Sequence, residues 1–257
     1  MKIGFVIPWY GANISGGAES ECRATALQLK AAGFEVEVLT TCVKDFRSDW
    51  NEDYYRPGVE VVEGIPVRRF RVRKSGRDEF HRLNRKLMDG RPISPKDEKT
   101  FLNEMVRSDG LVKYMKKFEQ EYIFILIPYM FGTTYFGALA CPDRSILLPC
   151  LHDESYAYMS IYKEMFRKVR GIIYNAPSEK ILAETLYDAG GKGALIGMGM
   201  DVDVQSDGAR FKAKHGLNRY ILYAGRKDEG KNVQLLLDYF CAYKKSFGGD
   251  LKLVMIG

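Results

Sequence analysis

The first nineteen residues constrain this chain more than any other stretch. Ile3–Ile7 is an apolar run suited to a buried strand, Pro8 ends it, and a loop carrying Gly11, Gly16 and Gly17 follows. Ala18, Cys22, Ala26 and Leu29 then recur at helical spacing until Gly33, and Val36–Leu39 offers a second apolar strand. Strand, glycine loop, helix and strand in that order must form a right-handed crossover in a parallel sheet. Such a unit places backbone N–H groups and a helix N-terminus at the carboxyl edge of the sheet, where phosphates and sugars are commonly held. The bland alternative for Gly16–Gly17 is a tight turn with no ligand. A nicotinamide dinucleotide is disfavoured, because the spacing is not G-x-G-x-x-G and the second strand runs into Thr40-Thr41-Cys42 with no carboxylate for a ribose.

The alternation continues along the chain. Gly58–Gly64 and Ile65–Phe70 read as paired strands around a turn at Gly64. Ser94-Pro95 can cap and open a helix, and Leu102 to Met115 suggests helical segments broken near Gly110. Tyr122–Pro142 holds no charged residue over about the length of a membrane span. Pro128 and Gly132–Gly137 interrupt it, so a strand (Tyr122–Ile127), a turn and a short helix (Thr133–Leu139) explain it better. Strand Ile146–Leu148, a helix through Tyr158, Ile161 and Met165, strand Gly171–Tyr174, helix Lys180–Tyr187 and strand Ala194–Ile196 follow. The pattern predicts an α/β fold with a parallel sheet. Residues 1–201 read as one Rossmann-like domain, 202–218 as a connection with a short helix at Ala209–Lys214, and 219–257 as the first strand–helix–strand unit of an incomplete second domain.

Charge is concentrated. The chain carries a net +6, and Val67–Arg91 alone holds eight arginines and two lysines against Asp78, Glu79 and Asp89. A solvated, partly helical excursion would account for this. So would a surface for anionic lipid head groups or a pyrophosphate-linked acceptor at Arg68–Arg91. No nucleic-acid motif accompanies the charge, so nucleic acid is not an expected partner. Five cysteines without a C-x-x-C pair suit a reduced, cytoplasmic compartment, and the N-terminus does not resemble a signal peptide.

Two further places could carry chemistry. Arg226 and Lys231, beside Gly225 and Gly230 in a strand-to-helix loop, could cradle a diphosphate, or they could be ordinary surface cations. His152, in His152-Asp153-Glu154 beyond a strand's carboxyl end, is either a structural histidine or one facing the crevice used by the Gly16–Gly17 loop. Asp153 and Glu154 could hold it or cap the next helix. No second histidine or cysteine stands at ligand spacing, so no metal site is expected. No G-x-S-x-G, Walker A or H-E-x-x-H sequence occurs.

In order and spacing these pieces resemble the GT-B-fold retaining glycosyltransferases of sequence family 4. The resemblance rests on Gly16-Gly-Ala-Glu19, Leu151-His-Asp-Glu154, Asn175 with Ser178-Glu179, Gly197-Met-Gly-Met-Asp201 and Tyr223–Lys231. It implies a metal-independent hexose transfer from a GDP- or UDP-linked donor, with mannose and rhamnose as candidate sugars, to a glycan or lipid-pyrophosphate acceptor in surface polysaccharide or glycolipid biosynthesis. The expected place is the cytoplasm or, peripherally, the inner membrane face. Arg226 and Lys231 would bind the donor pyrophosphate. Gly16, Gly17 and Gly225 would admit the donor, and His152 would contact the transferred sugar. The family's acidic E-x7-E element has no counterpart up to Gly257, so this 257-residue chain alone is expected to show little activity. A non-catalytic binding module and a GT-B sugar-nucleotide epimerase are the alternatives.

Overall fold

In the computed structural model, which describes residues 1–199, 203, 205–227 and 229–257, the chain divides into two units, Met1–Met200 and Asp201–Gly257. Met200, Asp201 and Val202, at the expected domain boundary, and Asp228, inside the Gly225–Lys231 loop, lie outside the described residues.

The first unit runs β1 (Lys2–Val6), α1 (Gly17–Ala31), β2 (Val36–Thr41), β3 (Gly58–Val62), β4 (Ile65–Phe70), α2 (Arg77–Met88), α3 (Pro95–Glu104), α4 (Asp109–Lys117), β5 (Tyr122–Leu126), α5 (Gly132–Ala140), β6 (Ser145–Leu147), α6 (Tyr162–Lys168), β7 (Gly171–Tyr174), α7 (Pro177–Tyr187) and β8 (Gly193–Leu195). These strands form one eight-stranded sheet in the order β3-β4-β2-β1-β5-β6-β7-β8. Every pairing is parallel except the β3–β4 hairpin. The chain moves from β1 to β2 on one flank and later returns to β5 on the other. Strand order therefore reverses at β1, where departing connections leave a crevice at the carboxyl edge.

Alternate residues of the central strands feed two cores. Val6, Leu39, Phe124 and Leu126 face one side, and Phe5, Ile7, Val38, Ile125 and Ile127 face the other with Cys22 and Ala26 of α1. Each fully buried aliphatic or aromatic side chain contributes about 1.5–3 kcal/mol. Gly4 gives room on the first side: a Cβ there would stand 3.0 Å from the Tyr122 ring and 3.2 Å from that of Phe124.

Ser94 caps α3, its hydroxyl accepting from Asp97 N at 3.2 Å, with Pro95 opening the helix as expected. Two expected boundaries are corrected. The helical break lies at Met105–Ser108 rather than Gly110, because the Ser108 hydroxyl caps α4, accepting from Leu111 N at 3.3 Å, and leaves Gly110 in its first turn. The helix expected through Tyr158, Ile161 and Met165 is a 3₁₀ turn (Ser155–Tyr158) followed by a separate α6. The buried Glu98 carboxylate on α3 causes the interruption. It accepts from Ser160 N at 2.9 Å, Ser160 Oγ at 2.8 Å and Ile161 N at 2.9 Å. Tyr122–Pro142 is divided between β5 and the nine-residue α5, and no helix among the described residues is long and apolar enough to cross a membrane.

The second unit contains α8 (Gly208–His215), β9 (Tyr220–Ala224), α9 (Val233–Phe247) and β10 (Lys252–Ile256), with β9 and β10 paired in parallel. None of β9, α9 or β10 contributes a fully buried residue.

Glu98→Ala should lower the unfolding free energy by about 3 kcal/mol, since three donors lose one buried acceptor. Urea unfolding of the 257-residue chain checks this. A midpoint equal to that of the parent would mean the Glu98 bonds do not hold α3 to the segment before α6.

Candidate functional site

The loops that follow β1, β5, β6 and β7 meet at the carboxyl edge, and a set of carboxylates ties them together. Glu179, in the first turn of α7, accepts from Leu151 N at 2.7 Å and from Asn175 N at 2.6 Å. One buried side chain thus fixes the loop after β6 to the loop after β7. Tyr129 N donates to Pro149 O at 2.9 Å, which adds the loop after β5. Between these anchors Cys150 takes the left-handed conformation, with φ 51°. A non-glycine residue persists there only when its surroundings impose it, and such positions cluster at functional sites. His152 follows two residues later and is exposed.

The β1 loop joins this group through α1. The Cys150 thiol lies 3.5 Å from Glu21 Oε2. The structure therefore brings Gly16 and Gly17, which open α1, to the same edge as His152. The two glycines differ in what they do. A Cβ at Gly16 would fall 1.8 Å from Glu19 Oε2, whereas Gly17 has nothing within 4 Å of its Cβ position. Glu19 is held over Gly16 by the buried Trp9, whose indole N–H donates to Glu19 Oε1. Trp9 in turn packs against Phe131, Trp50 and Phe46 with ring centroids 5.0, 5.7 and 5.9 Å away.

Asp153 and Glu154 turn to tyrosines rather than to His152. Asp153 accepts from Tyr158 OH at 2.8 Å, and Glu154 accepts from Tyr129 OH at 3.0 Å. Burial raises the Glu154 pKa above the ordinary carboxylate value, opposed by the Tyr129 hydrogen bond and the nearby charge of His152. The same segment is bonded to α2. Ser155 Oγ donates to Leu87 O, and Tyr156 OH donates to Asn84 Oδ1 at 2.8 Å.

Glu21 is also buried, and burial is the main reason its pKa rises above 4.5, with the Glu179 charge adding to it and hydrogen bonds from Asn175 and Cys150 opposing it. Burial likewise pushes the Cys150 thiol far up, so it stays protonated and is a poor nucleophile. Among the described residues no group of three or more His, Cys, Asp or Glu is placed to hold a metal ion.

Gly225, Arg226 and Lys231 belong to the second unit and share the loop from β9 to α9. Gly225 N donates to Ile256 O at 2.9 Å, and Tyr223 OH donates to Arg226 O at 2.7 Å, which pins the start of the loop. Lys231 closes a 3₁₀ turn and is exposed, and Asn232 reverses the chain into α9 with φ 52°. Cys150, Glu21 and the bridging role of Glu179 were not legible in the sequence. Separations of 129 and 28 residues follow no motif, and only the pairing of β1, β5, β6 and β7 joins them.

Two outcomes test this edge. Gly16→Ala should cost about 1–2 kcal/mol by displacing Glu19, while Gly17→Ala should leave stability within about 0.5 kcal/mol. Equal effects in thermal unfolding would refute the distinction. A raised folded-state pKa means that Glu21 holds its proton more tightly in the folded than in the unfolded chain. Its stabilising contribution is therefore complete below pH 4.5 and is lost as pH rises through the folded value. Glu21→Gln should gain stability relative to the parent as pH rises above 4.5, read from urea midpoints. A difference independent of pH would remove Glu21 as the group responsible.

No protein-family model and no curated protein matches the chain. Among solved structures, sucrose-phosphate synthase from Thermosynechococcus elongatus is similar over 100% of this chain, with a TM-score of 0.59 and 15% sequence identity. The chain spans 62% of the length of that structure. At this identity the likeness concerns fold alone: an α/β, Rossmann-like architecture of GT-B type.

Proposed function

We propose that this chain belongs to a retaining, metal-independent glycosyltransferase of sequence family 4 and comprises its acceptor-side domain and the opening of its donor-side domain. The reaction is transfer of a hexose from a GDP- or UDP-linked sugar to a glycan or lipid-linked acceptor, in surface polysaccharide or glycolipid synthesis at the cytoplasmic face of a membrane. The observation that carries this reading is the GT-B-type fold with Gly16, Gly17 and His152 gathered at one carboxyl edge.

In this reading the bond from the anomeric carbon to the donor's phosphate oxygen breaks, and an acceptor hydroxyl forms the new bond on the same face. The departing phosphate takes the acceptor's proton, so no protein nucleophile is needed. Arg226 and Lys231 offset the negative charge that grows on the leaving diphosphate, the task a divalent metal performs elsewhere. His152, exposed on a loop whose backbone Glu179 pins, hydrogen-bonds the transferred sugar.

Binding measurements on the 257-residue chain test these roles. UDP or GDP should bind, and Lys231→Ala should weaken that binding about tenfold. His152→Ala should leave nucleoside diphosphate affinity unchanged and weaken the matching sugar nucleotide about fivefold. Absence of binding by both UDP and GDP, or indifference to Lys231→Ala, would sink the reading.

A further inference from the structure

We propose that the outward face of α2 is a binding pocket for a diphosphate group. This inference rests on the first unit alone and is independent of the transferase reading, to which it would add the anionic part of the acceptor.

The excess positive charge of residues 68–91 is not spread evenly over a surface. Arg68 pairs with Glu37 at 2.8 Å, Arg69 with Glu60 at 2.5 Å, Arg71 with Asp53 at 3.3 Å and Arg77 with Asp49 at 2.5 Å. These four arginines hold β4 and the chain after it to their neighbours. Arg73 and Lys74 donate to the backbone carbonyls of Asn103 and Asn51, and the other four cations collect further along. A depression of about 380 Å³ is lined by Asp78, His81, Arg82, Arg85, Lys86 and Arg91.

Local structure explains the convergence. Phe80, Leu83 and Leu87 are buried at helical spacing, which leaves the stripe at 78, 81–82 and 85–86 facing outward. Beyond the helix Gly90 is left-handed, with φ 71°, and Arg91 N donates to Lys86 O at 2.9 Å. This Schellman-type turn folds Arg91 back beside the last helical residues. Arg82 is engaged by Glu79 at 2.7 Å and approached by Asp97 at 3.7 Å, and Arg91 is engaged by Asp89 at 2.5 Å. Arg85 and Lys86 have no ion-pair partner among the described residues. Like charges three and four residues apart on one helix repel. Arg82, Arg85 and Lys86 are so arranged, and a bound anion would relieve that repulsion.

The pocket also argues against a membrane-inserted helix. The apolar side of α2 is consumed by the core, with Phe80, Leu83 and Leu87 at most 7% exposed, and cannot enter a bilayer. A concave site with converging guanidinium groups suits a compact, multidentate anion, because arginine forks match phosphate oxygens.

The test uses the chain's three histidines, His81, His152 and His215, as site-specific NMR probes. Inorganic diphosphate, farnesyl diphosphate and phosphatidylglycerol vesicles are added separately to the 257-residue chain. Both diphosphates should shift the His81 ring resonances saturably. Equal affinities would mean that the diphosphate group suffices, and tighter farnesyl diphosphate would point to a lipid source. The double variant Arg85→Glu/Lys86→Glu should weaken the His81-reported binding at least about tenfold. Arg85→Gln/Lys86→Gln should weaken it less, and circular dichroism identifies any variant that has lost its fold. Shifts confined to His152 or His215 would overturn the proposal. Folded variants that bind as the parent does, or vesicles sedimenting the protein while neither diphosphate moves His81, would do the same.

Discussion

The placement of β1 governs the first unit. It is hydrogen-bonded on both sides, to β2 and to β5, and Phe5 and Val6 are fully buried on opposite faces. A strand used so completely has no freedom to shift register, because a slip of one residue would exchange its two buried faces. The loop after it must therefore emerge where strand order reverses, and α1 must begin there. Everything assigned to the candidate site in the first unit is reached by short links from that point: Trp9 to Glu19, Glu21 to Cys150, and Leu151 through Glu179 to Asn175.

This framework was largely legible in the sequence because it is built from local signals. Apolar runs of strand length, glycine turns and the Ser94-Pro95 helix start each act within a few residues, and each produced the expected element. Of the two corrected boundaries, the one at Gly110 was set by a local cap, Ser108, and the other by a distant side chain that overrides a local pattern. Glu98 stops a helix that Tyr158, Ile161 and Met165 would otherwise support, acting across more than sixty residues of sequence. The site followed the same division. His152 and Gly16 stand where strand ends put them, whereas the links from Glu21 to Cys150 and from Glu179 to Leu151 cross 129 and 28 residues and follow no local pattern. Gly17 shows a subtler limit: the sequence presents a glycine pair, but only Gly16 is sterically required by its neighbours.

Charge illustrates a similar point. A run of eight arginines invites a single explanation, yet the side chains divide by position along β4 and α2. Arg68, Arg69, Arg71 and Arg77, on or near the sheet, are engaged in ion pairs, and burial among them ranges from Arg69, almost wholly buried, to Arg71, largely exposed. Arg69 is the extreme case: its side chain is 2% exposed, its guanidinium lies 3.8 Å from the centre of the Tyr55 ring, and Nη2 donates to Tyr10 O at 2.8 Å. Truncating Glu60 would leave the buried Arg69 guanidinium without its carboxylate, which makes that position costly to lose. These residues are conformational anchors. Their presence inflates any estimate of the charge offered to a ligand.

The bonds from Ser155 and Tyr156 to α2 give the remaining charge a structural context. Because Ser155 and Tyr156 follow His152 by only three and four residues, the histidine loop and the basic helix are braced against one another. The brace is attached to α2 at Asn84 and Leu87, beside the cationic stripe rather than within it, so the stripe stays open while its backbone is held. The other end of the loop is held by Glu179. A loop fixed at both ends of a left-handed residue and a histidine can present that histidine in one position, and the same contacts set the distance from it to the cations of α2. Recognition of an anionic group on α2 and of a sugar at His152 would then be coupled by rigid placement, without requiring any movement of the fold.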